Sequence, residues 1–426
     1  MTAATITITD VRAREILDCR GLPTVQVDVV LDGGVVGRAD VPAGRSTGRH
    51  EARERRDGGT RYGGFGVRSA VGSVTDEIRP ALLGRPAVPQ RAVDQALIAL
   101  DGTPDKARLG ANAIAGVSLA TARAAAAAHG APLYRHLNAD AHVLPVPQVN
   151  LINGGRHASN DLDFQEFIIM PVGASSFAEA LAMASETNLA LRDLVVSRYG
   201  KLAANVGDEG GYAAPASGPE EALELLHRAT EQAGCAERVV YGLDCAASHL
   251  YDEGSATYTV AGKRYDGDAL AELYARLVDG YGVVSIEDPL HEDDLDGLAA
   301  LTARLGIQLV GDDAFVTSAE RVARAAALGA GNALLWKFNQ VGTLSEALDA
   351  ATTALRNRYA VVVSERSGET EDPLIADLTV ALGAGQIKTG APVRSERVAK
   401  YNRLLQIEEE LGGTAVYAGR DYRSAV

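Results

Sequence analysis

The chain is predicted to be an α/β protein in which a small N-terminal α+β domain precedes a (β/α)8 TIM-type barrel. Three observations predict it. The first is length, since 426 residues exceed one small core and imply two or three domains, or a small domain beside a barrel. The second is a change of pattern near residue 140, from alternating strand-like segments to short apolar runs each followed by a helical stretch. The third is the number of those runs, eight, which is the count a barrel needs.

The elements follow in order. Ile6 to Asp10 and Thr24 to Leu31 alternate as half-buried strands do, Asp32-Gly33-Gly34 reads as a hairpin turn, and Val35 to Val41 returns. Leu109 to Ala128 is half alanine and otherwise of low polarity, which favours a helix and lets a neighbour approach closely. Asn112, Ser118, Thr121 and Arg123 interrupt it too often for a membrane span. The eight runs are Phe164 to Met170, Ala204 to Asp208, Val239 to Asp244, Val283 to Asp288, Ile307 to Asp313, Ala333 to Asn339, Ala360 to Arg366 and Gln386 to Thr389. Uninterrupted apolar strands match a sheet buried on both faces. Ser176/Glu179, Thr317/Glu320 and Thr343/Glu346 carry the spacing of helix-capping boxes. A doubly wound open sheet is the alternative, but no GxGxxG follows any strand.

Composition narrows the partners. A formal charge of −15 argues against nucleic acid and anionic membranes, though local cations can still hold a small anionic substrate. The three cysteines, Cys19, Cys235 and Cys245, are scattered without CxxC spacing, so neither structural zinc nor a disulfide framework is expected. Cys245 reads as a small packing residue. The first ten residues lack a basic and then apolar leader pattern, and a cytoplasmic protein is expected.

In such barrels chemistry gathers at the C-terminal ends of the strands. The polar residues closing the runs are Glu166, Glu209, Asp244, Glu287, Asp312, Lys337, Arg366 and Lys388. Asp244, Glu287 and Asp312 close three successive runs, and three carboxylates without His or Cys prefer a hard cation such as Mg²⁺. Lys337, inside Leu-Leu-Trp-Lys-Phe-Asn-Gln, is costly to bury without a partner or a task. It suits removal of an α-proton, with burial and nearby cations lowering its basicity. Lys388 can balance a substrate carboxylate, and the fork of Arg366 with the Ser367 hydroxyl suits a phosphate. Ala43 to Gly48 reads as a lid whose Ser46 reaches a second cation.

The motifs Ala13 to Asp18 (Ala-Arg-Glu-Ile-Leu-Asp), Leu109-Gly-Ala-Asn-Ala-Ile, Val206-Gly-Asp-Glu-Gly-Gly, Ser285-Ile-Glu-Asp-Pro and Gly311-Asp-Asp resemble those of the enolases. So do Lys337-Phe-Asn-Gln-Val-Gly-Thr, Gly385-Gln-Ile-Lys-Thr-Gly and Arg394-Ser-Glu-Arg-Val-Ala-Lys-Tyr-Asn, in the family's order across nearly the whole chain. The resemblance implies a capping domain over 1–138 and a modified barrel over 139–426 whose first connections depart from simple alternation. It implies action on 2-phosphoglycerate or phosphoenolpyruvate, a homodimer or larger assembly, and two Mg²⁺ per site, the second recruited with substrate. By motif, Asp244, Glu287 and Asp312 match the first metal's ligands and Ser46 that of the second. Lys337 matches the base, and Glu209, supported by Glu166, the acid side. Lys388 and Gln165 fall with the substrate contacts, Arg366 and Ser367 with the phosphate contacts, and His157 with the loop histidine that closes over the phosphate.

The departures cluster near the reacting end. Glu365 stands where the family usually has His, and no histidine follows His291. Arg45 adds a cation to the lid, His249 stands where Glu is common, and Trp336 precedes Lys337 where an aliphatic residue is usual. By alternation Trp336 points away from Lys337, toward the helices. Glu365 is counted with the catalytic residues and Arg45 with the substrate contacts, the two together accommodating a second anionic group. The chain is therefore expected to be a paralogue of specialised metabolism, resembling carboxyphosphonoenolpyruvate synthase and taking a phosphorylated or phosphonylated substrate. The alternatives are an authentic glycolytic enolase and a non-catalytic binding protein on the same fold.

Overall fold

A computed structural model describes residues 6–424. Strands β1 (Ile8–Leu17), β2 (Pro23–Leu31) and β3 (Val36–Asp40) form an antiparallel sheet in that order. β1 runs well past the expected Asp10. Its continuation is masked in sequence by Arg12, Arg14 and Glu15, whose charges are met by Asp10, Asp28 and Arg61. At the hairpin, Gly33 and Gly34 adopt φ of 78° and 79°, and Val30 lies opposite Val36. The Ala-rich helix α1 (Ala111–Ala128) is buried against β2 and β3. The approach is close enough that a Cβ at Gly37 would collide with the backbone of Ala120 and Ala124.

Eight strands close the barrel: β4 (Val146–Asn153), β5 (Glu166–Met170), β6 (Val240–Asp244), β7 (Val283–Glu287), β8 (Gln308–Gly311), β9 (Ala333–Trp336), β10 (Ala360–Ser364) and β11 (Gly385–Lys388). β11 pairs with β4 to seal it. β5 runs antiparallel to both β4 and β6, while the other pairs are parallel. Two helices, α2 (Phe177–Tyr199) and α3 (Pro219–Gln232), separate β5 from β6. One long helix then follows each strand: α4 (Gly267–Tyr281), α5 (Leu295–Leu305), α6 (Ala319–Leu328), α7 (Leu344–Arg356), α8 (Leu374–Leu382) and α9 (Ser395–Leu411).

One expected strand is wrong. Ala204 ends a short 3-10 turn, and Val206 makes only an isolated bridge to Tyr212. The eighth strand is β4, hidden in sequence by Pro147, Gln148 and Asn150. Its Gln148 joins a buried network inside the barrel, donating to Gln386 Oε1 at 2.8 Å while Gln308 donates to the same oxygen at 2.9 Å and to Ser285 Oγ at 3.0 Å. Buried amides in this number are tolerable because they satisfy one another.

Ser176 and Thr343 cap α2 and α7 as expected. α6 is capped by Ser318 instead of Thr317, because Thr317 is committed elsewhere. Its hydroxyl donates to Gln340 Oε1 at 2.6 Å and accepts from Lys337 N at 2.9 Å. Cys245 is fully buried, as a packing residue should be. Among the described residues no helix is long and apolar enough to cross a membrane.

Trp336 points outward from the barrel and donates its indole N–H to Ala347 O on α7 at 2.6 Å. It is fully buried against the helical layer. Trp336→Ala is expected to lower unfolding stability by about 3–5 kcal/mol in urea titrations, from lost packing and an emptied cavity. A change below about 1 kcal/mol would contradict this packing account.

Candidate active site

β5 explains the first part of the site. Because it runs backwards, its first residue, Glu166, lies at the mouth, level with Asp244 at the end of β6. Asp244 in turn stands opposite Glu287 at the end of β7. Three buried carboxylates are thus set side by side, and Lys388 at the end of β11 enters between them. Its Nζ lies 3.2 Å from Glu166 Oε1, 3.0 Å from Asp244 Oδ2 and 2.7 Å from Glu287 Oε2. Burial opposes the charge of Lys388, yet these anions hold its ammonium well above the usual lysine range. Glu287 is pushed well up by burial and by Asp244 beside it.

Asp312 follows β8. It accepts from Lys337 Nζ at 2.6 Å and from Gln340 Nε2 at 2.8 Å. Sequence reasoning expected Lys337 to become less basic. The structure gives the opposite direction: burial is the largest influence and pulls it down, but the anions around it, Asp312 in direct contact and Glu287 beyond, together hold the ammonium above its ordinary value.

On the far side, Glu209 receives Asn150 Nδ2 at 3.0 Å, and His157 Nδ1 stands 3.4 Å from Glu209 Oε2 and 3.7 Å from Glu166 Oε1. Burial and the adjacent Glu209 push Glu166 well above the carboxylate range. Burial would raise Glu209 too, but His157 holds it well below. Two neighbouring carboxyls are therefore pulled apart, one favouring the proton and the other the anion.

The lid lies over this cleft. Ala43 pairs with Gly368, and Arg45 N donates to Ser367 Oγ at 2.7 Å. A Cβ at Gly44 would collide with the Arg366 guanidinium, so the close approach needs glycine. Ser46, Gln165, Arg366 and Ser367 line the same cleft as Lys337, Glu209 and Lys388. Gln165 also borders a wider cavity of about 550 Å³ beside it, with His249 on its wall.

Arg45 and Glu365 do not meet. The Arg45 guanidinium pairs with Asp208 at 2.7 Å and is half exposed, whereas Glu365 is buried against Arg397. The carboxyl at 365 is thus partnered inside the protein, by Arg397, and a joint Arg45–Glu365 site for a second anionic group is not formed. Arg397 and Glu51 are the residues sequence reasoning missed. Glu51 grips Arg366 with both oxygens, at 2.9 and 3.1 Å. Arg397 was findable: it lies three and four residues before Lys400 and Tyr401, on the helical face that continues through Leu404 and Ile407.

The donor set fits a hard divalent cation. Asp244, Glu287 and Asp312 are carboxylates only, converging on one mouth, and in this structure their charge is met by Lys388 and Lys337. Among the described residues this trio is not one of the tight acidic clusters. The tightest acidic groups are His157/Glu166/Glu209 and Asp288/Asp312/Asp313. In the second, the Asp288 carboxylate is spent on the N–H groups of Asp312 and Asp313.

The family model described as "Enolase, N-terminal domain" matches residues 8–137, and that described as "Enolase, C-terminal TIM barrel domain" matches 141–426. The chain is 55% identical to the enolase of Methanocaldococcus jannaschii over 417 residues, covering 98% of each chain. It is 56% identical to the enolase of Thermococcus gammatolerans and 56% to that of Pyrococcus furiosus, again over 98% of both chains. These relatives overturn the expected paralogue of specialised metabolism: proteins this similar over their whole length carry the name enolase, and nothing supports a phosphonate-forming branch.

Proposed function

The chain belongs to the enolase family, and on that premise we propose that it dehydrates 2-phosphoglycerate to phosphoenolpyruvate. It is an enzyme, a carbon–oxygen lyase, and its cofactor is Mg²⁺. The observation that carries the proposed reaction is the division of the site. A buried lysine, Lys337, stands on Asp312 at one side, and the unequal pair Glu166/Glu209 stands at the other.

In this reading Asp244, Glu287 and Asp312 hold Mg²⁺, and Ser46 reaches a second ion that arrives with substrate. Mg²⁺ held there would supply positive charge against the negative charge that develops on the substrate carboxylate. Lys388 and Gln165 orient that carboxylate, while Arg366, Ser367 and His157 contact the phosphate end. Lys337, in its neutral form, takes the C2 proton. The C–H electron pair becomes the C2–C3 double bond as the C3–O bond breaks. The hydroxyl leaves as water with a proton delivered from the Glu209 side, where Glu166 favours the protonated form. We also propose that the chain divides at 138/139, the described part of the first domain acting as a cap that brings the lid over the barrel. A cytoplasmic homodimer or larger homo-oligomer is the assembly we propose.

The test follows phosphoenolpyruvate absorbance from 2-phosphoglycerate while Mg²⁺ is removed and restored. Chelation is expected to abolish turnover and to lower the melting temperature, with both recovering on Mg²⁺ addition. Turnover that survives chelation would overturn the metal assignment.

A further inference from the structure

Glu365 ends up pinned with one oxygen to spare. It follows β10, is 3% exposed, and lines the cleft shared by Glu209, Ser367 and Lys388. Its Oε2 accepts from Arg397 Nη1 and from Thr389 Oγ1 at 3.2 Å. Arg397 cannot swing away, because it also donates to Arg366 O at 2.8 Å, Ser367 O at 2.7 Å and Asp208 O at 3.1 Å. Oε1, by contrast, is buried and meets no hydrogen-bond partner among the described residues. Gly390, at φ 80°, leaves room beside it, where a Cβ would lie 3.0 Å from Oε1.

Resting on the dehydration reading above, we propose that Glu365 is a positioning residue that presents a protonated Oε1 to an oxygen of the bound substrate. A carboxylate only accepts hydrogen bonds, whereas a carboxylic acid donates one and adds no charge against an anionic ligand. The surroundings favour the acid. Arg397 and Tyr401 face Glu365 from α9, Glu209 from the loop before α3, Arg366 and Glu369 from its own loop, and Lys388 from β11; Cys19 lies behind Arg397. Burial pushes the carboxyl up to about 8; Arg397 opposes this, and Glu209 and Glu369 reinforce it. A phosphorylated anion arriving in the cleft pushes the same way, so binding holds the proton on.

The experiment compares kcat/KM against pH for the wild type and Glu365→Gln, with Mg²⁺ saturating. The wild type is expected to lose about tenfold per pH unit above about pH 8 as the donor ionises. Glu365→Gln keeps a donor that does not titrate, so whatever its level at pH 7 its profile should lose that alkaline limb. An unchanged limb, or a uniform loss at every pH, would overturn the proposal and leave Glu365 as a structural partner of Arg397. If the variant does not fold, calorimetry of phosphoenolpyruvate binding to wild type at pH 8.5 in two buffers decides instead. Net uptake of about half a proton or more is expected, and none overturns the proposal. Absence of wild-type turnover at every pH would instead sink the dehydration reading, with the calorimetric result still deciding the protonation.

Discussion

Replacing Lys337 with methionine is expected to lower kcat by about 10³- to 10⁴-fold while leaving the fold intact. Proton transfer by a placed side chain contributes roughly this much, and the carboxylate beside it, Asp312, is the residue we assign to the metal. Lys388 is nearest in kind, but its ammonium is taken by Glu166, Asp244 and Glu287. Methionine fills similar volume and removes the cation beside Asp312, which Gln340 still contacts and which Mg²⁺ would still neutralise. KM should therefore change far less than kcat, since the lost interaction belongs to the transition state. A kcat loss below about tenfold would assign the proton to another group.

Arg397→Met should be the most destabilising single change in the site, by about 3–5 kcal/mol in urea unfolding. The guanidinium is completely buried, and its removal strands the carbonyls of Arg366, Ser367 and Asp208 as well as Glu365. The pH dependence carries a sign. Glu365 binds its proton more tightly folded than unfolded, so its contribution is full below the ordinary carboxylate range and is lost as pH rises through about 8. Without Arg397 the carboxyl rises further, and that window extends to higher pH. Adding Glu365→Gln should recover part of the loss, because the stranded acid goes with it. Equal stability of wild type and Arg397→Met would show the pair to be dispensable.

Most of the barrel was legible because buried parallel strands read as apolar runs, and the residues after them fell at one mouth. What escaped did so for local physical reasons. β4 carries glutamine and asparagine into the buried interior of the barrel, so it lacks the apolar signature. Glu166 was found, but only the antiparallel sense of β5 explains why a strand's first residue reaches the site. The basicity of Lys337 was misjudged because its sequence neighbours do not reveal Asp312, 25 residues away and 2.6 Å distant. Glu365 was conspicuous as a departure, but its meaning depended on Arg397, 32 residues later on a different element. Reading it as an unpaired charge needing an outside partner led to the wrong reaction.

This chain is expected to dehydrate 2-phosphoglycerate despite Glu365. The direct measurement is the steady-state rise of phosphoenolpyruvate absorbance with purified protein, Mg²⁺ and saturating 2-phosphoglycerate. Turnover of about 1–10³ per second, abolished in Lys337→Met, is the expected result. A folded protein that Mg²⁺ stabilises but that forms no phosphoenolpyruvate would contradict it.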